Sequence, residues 1–250
     1  MKKLKIGIIG VGRLGYEHAC NIANRVPGSE LVAIADANFD RAKQVAEELG
    51  VTAVYNDPKA LCADPNVEAV AIITNTASHV EMIKIAMDAG KHVFCEKPLA
   101  DTVEKCKEAE AIIAAHPELT FMLGFMRRYD HSYQVAKKKM ENGDIGDVIL
   151  VRCYSQDPIS IIEGTLEYAP RSGGQFIDMS IHDFDLIRWL TGSEVKELWA
   201  TGGCYEFKQY KDWDDGDNVS GLMKMENDAM AFFFAGRAAA HGSHVETEIV

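Results

Sequence analysis

The sequence predicts an α/β chain in two parts, a doubly wound parallel sheet followed by an α+β domain with a largely antiparallel open sheet. Three observations carry this expectation. A GxGxxG motif stands directly after an apolar run near the N-terminus, short apolar runs alternate with helix-length amphipathic stretches up to about residue 123, and longer strand-like runs then follow one another across short turns. Alternation of the first kind implies parallel strands linked by crossover helices, and succession of the second kind an antiparallel sheet.

In chain order, residues 4–9, 31–35, 69–73, 92–95 and 120–123 are the strands of the first part. They are apolar on both faces rather than alternating, as strands covered by helices on each side must be. The second part starts with a helix over 131–141 and a turn over 143–146. Strands over 148–154, 195–202, 218–225 and 229–236 then surround a helix over 178–190, and Glu226-Asn227-Asp228 makes one of the turns. The predicted domains are residues 1–123 and 124–250. Residues 245–250 read as one more strand, cut short, so a C-terminal truncation is expected.

At 250 residues and 47% apolar composition the chain can fill one large core or two smaller ones. A formal net charge of −12 repels phosphate backbones and anionic membrane surfaces, so neither nucleic acid nor membrane is an expected partner. Cys20, Cys62, Cys95, Cys106, Cys153 and Cys204 are scattered, without a CxxC pair or a His at zinc-like spacing. They read as buried free thiols in a reducing compartment, and no metal is expected. The apolar start is too short for a signal peptide, and no run approaches the roughly 20 residues that cross a bilayer. The expectation is a cytoplasmic protein.

Gly10-Val11-Gly12-Arg13-Leu14-Gly15 follows the first strand and opens an amphipathic helix. Gly10, Gly12 and Gly15 permit a tight turn, and the backbone at Arg13 and Leu14 can approach a pyrophosphate favoured at a helix N-terminus. This is the fingerprint of a Rossmann dinucleotide site. Asp36 ends the second strand, 26 positions after Gly10, where a carboxylate accepts hydrogen bonds from ribose hydroxyls; the alternative is a helix N-cap. An anion there repels a 2′-phosphate, so NAD is the expected cofactor, with Arg41 the only nearby cation available to offset the repulsion.

Cys95-Glu96-Lys97-Pro98 lies at the carboxyl end of a predicted parallel strand, which is where open α/β sheets bind ligands. Farther on, Asp178, His182 and Asp185 occupy positions i, i+4 and i+7 of a helix otherwise apolar around them, forming one polar stripe. Oxidation of an alcohol requires a group to take the hydroxyl proton, and histidine titrates in the suitable range. His182 is the candidate acid/base, Asp178 its orienter or a hydroxyl acceptor, and Lys97 a polarising or relaying cation.

On Gly10–Gly15, Asp36, Thr74-Asn75 with His79, Glu96-Lys97-Pro98, and Gly173-Gly174 followed by Asp178 and His182, the chain resembles the Gfo/Idh/MocA oxidoreductases. The resemblance implies that Lys97, Asp178 and His182 carry catalysis, that Thr74, Asn75, His79 and Glu96 lie along the cofactor, and that the protein is a homo-oligomer, a tetramer. Residues 124–130 and 181–185 look most like those of inositol dehydrogenases, implying oxidation of an inositol to an inosose. For such a neutral polyol, Arg127, Gln156 and Asp157 join Asp178 and Lys97 as candidate lining. Thr76 stands where the family more often shows a proline after the threonine, and Gln156 where similar inositol enzymes often carry a basic residue. The competing readings are a sugar or sugar-acid dehydrogenase and a non-catalytic dinucleotide-binding regulator.

Overall fold

The computed structural model describes residues 2–250. It divides into two compact units, Met1–Gly124 and Phe125–Val250.

The first unit strings together β1 (Leu4–Ile9), α1 (Arg13–Asn24), β2 (Ser29–Ala35), α2 (Phe39–Leu49), β3 (Ala53–Tyr55), α3 (Pro58–Ala63), β4 (Ala69–Ile72), α4 (His79–Asp88), β5 (His92–Cys95), α5 (Val103–Ala114) and β6 (Phe121–Leu123). Its six strands run in the order β3-β2-β1-β4-β5-β6, every neighbouring pair parallel. Successive residues of a strand face opposite sides. Ile8 and Ala71 accordingly pack with Ala19 and Val45 of the helices on one side, while Ile9 and Ile72 pack with Ile83, Met87 and Ala109 on the other. Both faces are covered, so the strands need apolar residues at every position. The chain leaves β1 toward β2 and β4 toward β5, and this reversal of direction opens a crevice at the carboxyl ends of β1 and β4.

The second unit holds α6 (His131–Glu141), β7 (Leu150–Pro158), α7 (Ile162–Tyr168), α8 (Ile181–Thr191), β8 (Val195–Gly203), β9 (Asn218–Met225), β10 (Met230–Ala239) and β11 (His244–Ile249). The sheet order is β11-β7-β10-β9-β8. All its pairs are antiparallel except β7 with β10, which is parallel. One face of the sheet carries Val151, Cys153, Ala231 and Phe233 against Leu186, Ile187 and Leu190 of α8. The predicted helix over 178–190 is in fact two segments, a π turn over Phe176–Ser180 running into α8. All six cysteines are free, with Cys62, Cys95 and Cys153 buried and the others half-buried. Burial pushes the Cys62 thiol up to about 11 and the Cys153 thiol up to about 12, so both stay protonated at neutral pH.

Phe233 joins the sheet to the segment above it. It is fully buried, and the rings of Phe176 and Phe184 meet it edge-on at centroid distances of 6.0 and 4.9 Å. Replacing it with alanine removes the surface on which both ends of the π turn and helix rest. The expected loss is about 3–5 kcal/mol in the unfolding of this unit, measured by urea denaturation followed by circular dichroism. A loss below about 1 kcal/mol would show that the segment is held by other contacts.

Candidate active site

In the first unit, every chemistry-bearing residue read from the sequence sits at the carboxyl edge of the sheet. Gly10 follows β1 with φ +91°, a conformation that L side chains rarely adopt, and a Cβ there would lie 2.6 Å from the Ile73 carbonyl oxygen. At Gly15, in the first turn of α1, a Cβ would lie 2.0 Å from the Gly10 oxygen, so only glycine lets the helix start this close to the strand. Gly12 borders open space. Helix α1 has no side-chain N-cap and no acid in its first turn, leaving its first N–H groups and the positive end of its dipole for an anion. These features fit the pyrophosphate of a dinucleotide.

Asp36 stands just past β2, its Oδ2 accepting from the Val11 N–H at 2.7 Å and its Oδ1 from the Asn38 N–H at 2.8 Å. Each carboxylate oxygen still has a lone pair for a ribose hydroxyl. The helix-cap alternative for Asp36 falls away, because Asn38 caps α2 by accepting from the Arg41 N–H. Arg41 donates from Nε to the Val11 carbonyl at 3.1 Å and stacks over the Tyr16 ring, so the loop, Asp36 and Arg41 are tied together.

Beyond β4, Ser78 donates its hydroxyl proton to Thr74 Oγ1 at 2.7 Å, and Asn75 is exposed. The His79 ring is only 1% exposed. Its Nδ1 faces the Pro98 carbonyl at 2.8 Å and its Nε2 the Thr74 carbonyl at 3.3 Å, so it braces the loop after β4 against the Lys97-Pro98 loop. Burial lowers its pKa, against the opposing pull of those two carbonyls. After β5, the Glu96 carboxylate accepts from the Lys97 backbone N–H at 3.0 Å and pairs with His18 Nε2 at 2.9 Å. Lys97 itself is half-buried.

In the second unit, Gly173 and Gly174, both with φ near +85°, lead into the π turn that carries Asp178. Single π turns inside helices recur at functional sites. Here the wider turn sets Asp178 apart from the regular first turn of α8, which carries His182. The Asp178 Oδ2 accepts from Arg237 at 2.6 Å, and the same guanidinium donates to Asp157 Oδ2 at 2.8 Å. Burial disfavours charge on Arg237, but the two carboxylates more than offset this and raise its pKa. His182 lies with its ring edge toward Phe125, centroids 6.4 Å apart. Two ion pairs pin the start of α8 just after it. Arg127 pairs with Asp183 and donates to Ser155 Oγ at 2.8 Å, while Arg128 grips Asp185 in a fork at 2.7 and 2.8 Å.

The structure thus brings Asp157 and Asp178 together and places His182 one turn farther along. Arg127, expected among the substrate contacts, is 7% exposed, with its guanidinium committed to Asp183 and Ser155. Gln156 sits on the opposite face of β7 from Ser155 and Asp157, by strand alternation, and is not part of their cluster. Sequence reasoning missed His18 and Arg237. The signal for Arg237 was present, since it is the one cation in the apolar run Met230–Ala239.

A family model described as an oxidoreductase family with an NAD-binding Rossmann fold, GFO_IDH_MocA, matches residues 4–125, and the model of the GFO/IDH/MocA C-terminal domain matches residues 133–250. The chain is 36% identical to the myo-inositol 2-dehydrogenase of Thermotoga maritima, covering 98% of this chain and 72% of that protein. Among solved structures, the scyllo-inositol dehydrogenase of Lactobacillus casei with bound NAD(H) and scyllo-inositol is 41% identical with a TM-score of 0.94, covering all of this chain and 74% of that one. The myo-inositol 2-dehydrogenase of Lactobacillus plantarum is 40% identical with a TM-score of 0.95, at the same coverage.

The buried His79 makes a prediction about pH. The unfolded chain takes up a proton on this ring near the ordinary histidine pKa of about 6.5, which the folded protein resists. Its contribution to stability is therefore full above that pH and is lost as pH falls below it. Between pH 7.5 and 5.5 the wild-type urea midpoint should fall more than that of His79→Gln. Equal falls would rule out this linkage.

Proposed function

Because the chain belongs to the GFO/IDH/MocA oxidoreductase family, we propose that it oxidises a ring hydroxyl of myo-inositol or a close stereoisomer to the corresponding ketone, with NAD as hydride acceptor. The observation that carries this reading is the similarity, along the whole chain, to an enzyme solved with NAD(H) and scyllo-inositol bound.

The chemistry of the residues supports it. Turning a CH–OH into a ketone removes a hydride and a proton, and bound NAD supplies the hydride acceptor. The protein must take the proton. His182 is assigned that role, on a helix start that two ion pairs anchor at Asp183 and Asp185. Lys97 is assigned to polarise the reacting oxygen and Asp178 to accept from a ring hydroxyl. Gly10, Gly12, Arg13, Leu14 and Gly15 are assigned to the pyrophosphate, Asp36 to the adenosine ribose, and Thr74, Asn75 and Glu96 to the rest of the cofactor, with His79 bracing the loops that carry them. Asp157 and Asp178 form a pair of acceptors suited to a neutral polyhydroxylated ring. Arg127 is occupied by Asp183, and this argues against a carboxylated sugar as substrate. We assign Arg127 to holding α8.

Among the described residues no helix is long and apolar enough to cross a membrane. With six free thiols this supports a cytoplasmic enzyme. Trp199, Leu222 and Met230 lie exposed on one face of the second sheet, and they support a homo-oligomer built on that face.

Initial rates with myo-inositol, scyllo-inositol, glucose and a uronic acid, each with NAD and NADP, test the assignment. An inositol with NAD should be turned over fastest. A uronic acid turned over faster than either inositol would reject the substrate. Asp36→Ser should erode the preference for NAD, and a parent enzyme already preferring NADP would reject the role of Asp36. Lys97→Ala and His182→Ala should each lower kcat by roughly two to four orders of magnitude. NADH affinity, read by fluorescence titration, should change little in either. A defect confined to cofactor affinity would remove these residues from the chemical step.

A further inference from the structure

Arg237 is 6% exposed, close to the end of a strand whose buried face is otherwise apolar. The local backbone explains how it gets there. Along β7 and β10 the register runs in step from Leu150 with Met230 to Gln156 with Gly236, and then Ala239 pairs with Pro158. Ala231, Phe233, Ala235 and Arg237 thus follow one another on the buried face by plain alternation, and β10 gains its one extra residue only between Gly236 and Ala239. The Arg237 backbone stays anchored, its N–H donating to the Asp217 carbonyl at 2.9 Å.

From this face the guanidinium reaches two carboxylates that belong to different elements, Asp157 at the end of β7 and Asp178 in the π turn. Like charges drawn this close repel, and a bridging cation removes the repulsion. The other acids facing the cluster are already committed. Asp217 accepts from the N–H groups of Tyr205, Glu206 and Phe207, and Asp215 accepts from the Gln175 N–H. The Tyr210 ring, fully buried, faces the same group from the turn Lys208–Trp213. His182 follows Asp178 by one helical turn.

We propose that Arg237 is a positioning residue, which bridges Asp157 and Asp178 so that the two carboxylates form one preset acceptor edge for neighbouring hydroxyls of the ring. The proposal rests on the functional reading above for its substrate, and on geometry alone for the bridge. A planar fork with two outward N–H groups can hold two carboxylates at once. A lysine supplies the charge but not the fork.

The test uses the full chain and three proteins: wild type, Arg237→Lys and Arg237→Gln, each checked for folding by circular dichroism and thermal melting. The first readout is the titration of the Asp178 carboxyl carbon by ¹³C NMR, its resonance assigned with Asp178→Asn. Without the cation the ionised form loses support, so Asp178 in Arg237→Gln should titrate at higher pH than in wild type. In Arg237→Lys the titration should stay near wild type. Its kcat/KM for inositol should nevertheless fall about 10- to 100-fold, the scale of a displaced positioning contact, at unchanged NADH affinity. An unshifted Asp178 titration in folded Arg237→Gln, or wild-type kcat/KM in Arg237→Lys, would overturn the proposal. If Arg237→Gln does not fold, the lysine variant decides alone. Failure of the wild type to oxidise any inositol would reject the substrate assignment, whereas the Asp178 titration would still decide whether Arg237 governs that carboxylate.

Discussion

A charge taken out of water costs several kcal/mol unless a partner and hydrogen bonds come with it, and the second unit is arranged around that constraint. Its sheet has one face packed against α8, and Asp157 on β7, Asp178 in the π turn and Asp183 and Asp185 on α8 are each paired with a cation. Arg127, Arg128 and Arg237 meet the need, each coming from a different place in the chain than the acid it serves. Arginine suits this task because its flat fork can bind two acceptors at once. The pairs fix the π turn and the start of α8 from two sides.

The first unit reaches the same end by other means. Its glycine loop is set by contact with backbone rather than by ion pairs: Gly10 against the Ile73 carbonyl, Gly15 against Gly10, and the Asp36 carboxylate gripping the Val11 N–H. The two halves therefore fail differently. A methyl group in the wrong place closes the first, while a missing charge loosens the second.

This difference also decided what the sequence could reveal. A glycine motif, a carboxylate at a strand end and apolar runs depend on local order, and the limits of β1, β5, β9 and α6 were read as they stand. The edge strand β3, three half-buried residues long, carries too little pattern to be seen. Strand β7 reaches Pro158 although the sequence reading stopped at 154, because Ser155 and Asp157 look like loop residues until their partners Arg127 and Arg237 are known. In the same way β10 outruns its predicted end at Gly236, because Arg237 looks like a surface residue until its partners Asp157 and Asp178 are known. The i, i+4 spacing of Asp178 and His182 fits an α-helix, and nothing in composition marks the π turn that separates them. Contacts between distant segments leave no periodic trace, so Arg127 reads as an available donor and His79 as a residue along the cofactor. Both are buried.

The parallel pairing of β7 with β10 also shapes how the chain is made. Leu150 finds its neighbour only at Met230, and β11 closes the other side of β7 later still. A ribosome adding roughly 5–20 residues each second leaves β7 without either neighbour for several seconds, with Val151 and Cys153 uncovered on one side. The strands β8, β9 and β10, joined in sequence order, can meanwhile assemble as a meander. The second unit thus depends on its own last third to shelter its first strand, and the interval before that shelter forms is when a nascent chain of this kind is most exposed to aggregation.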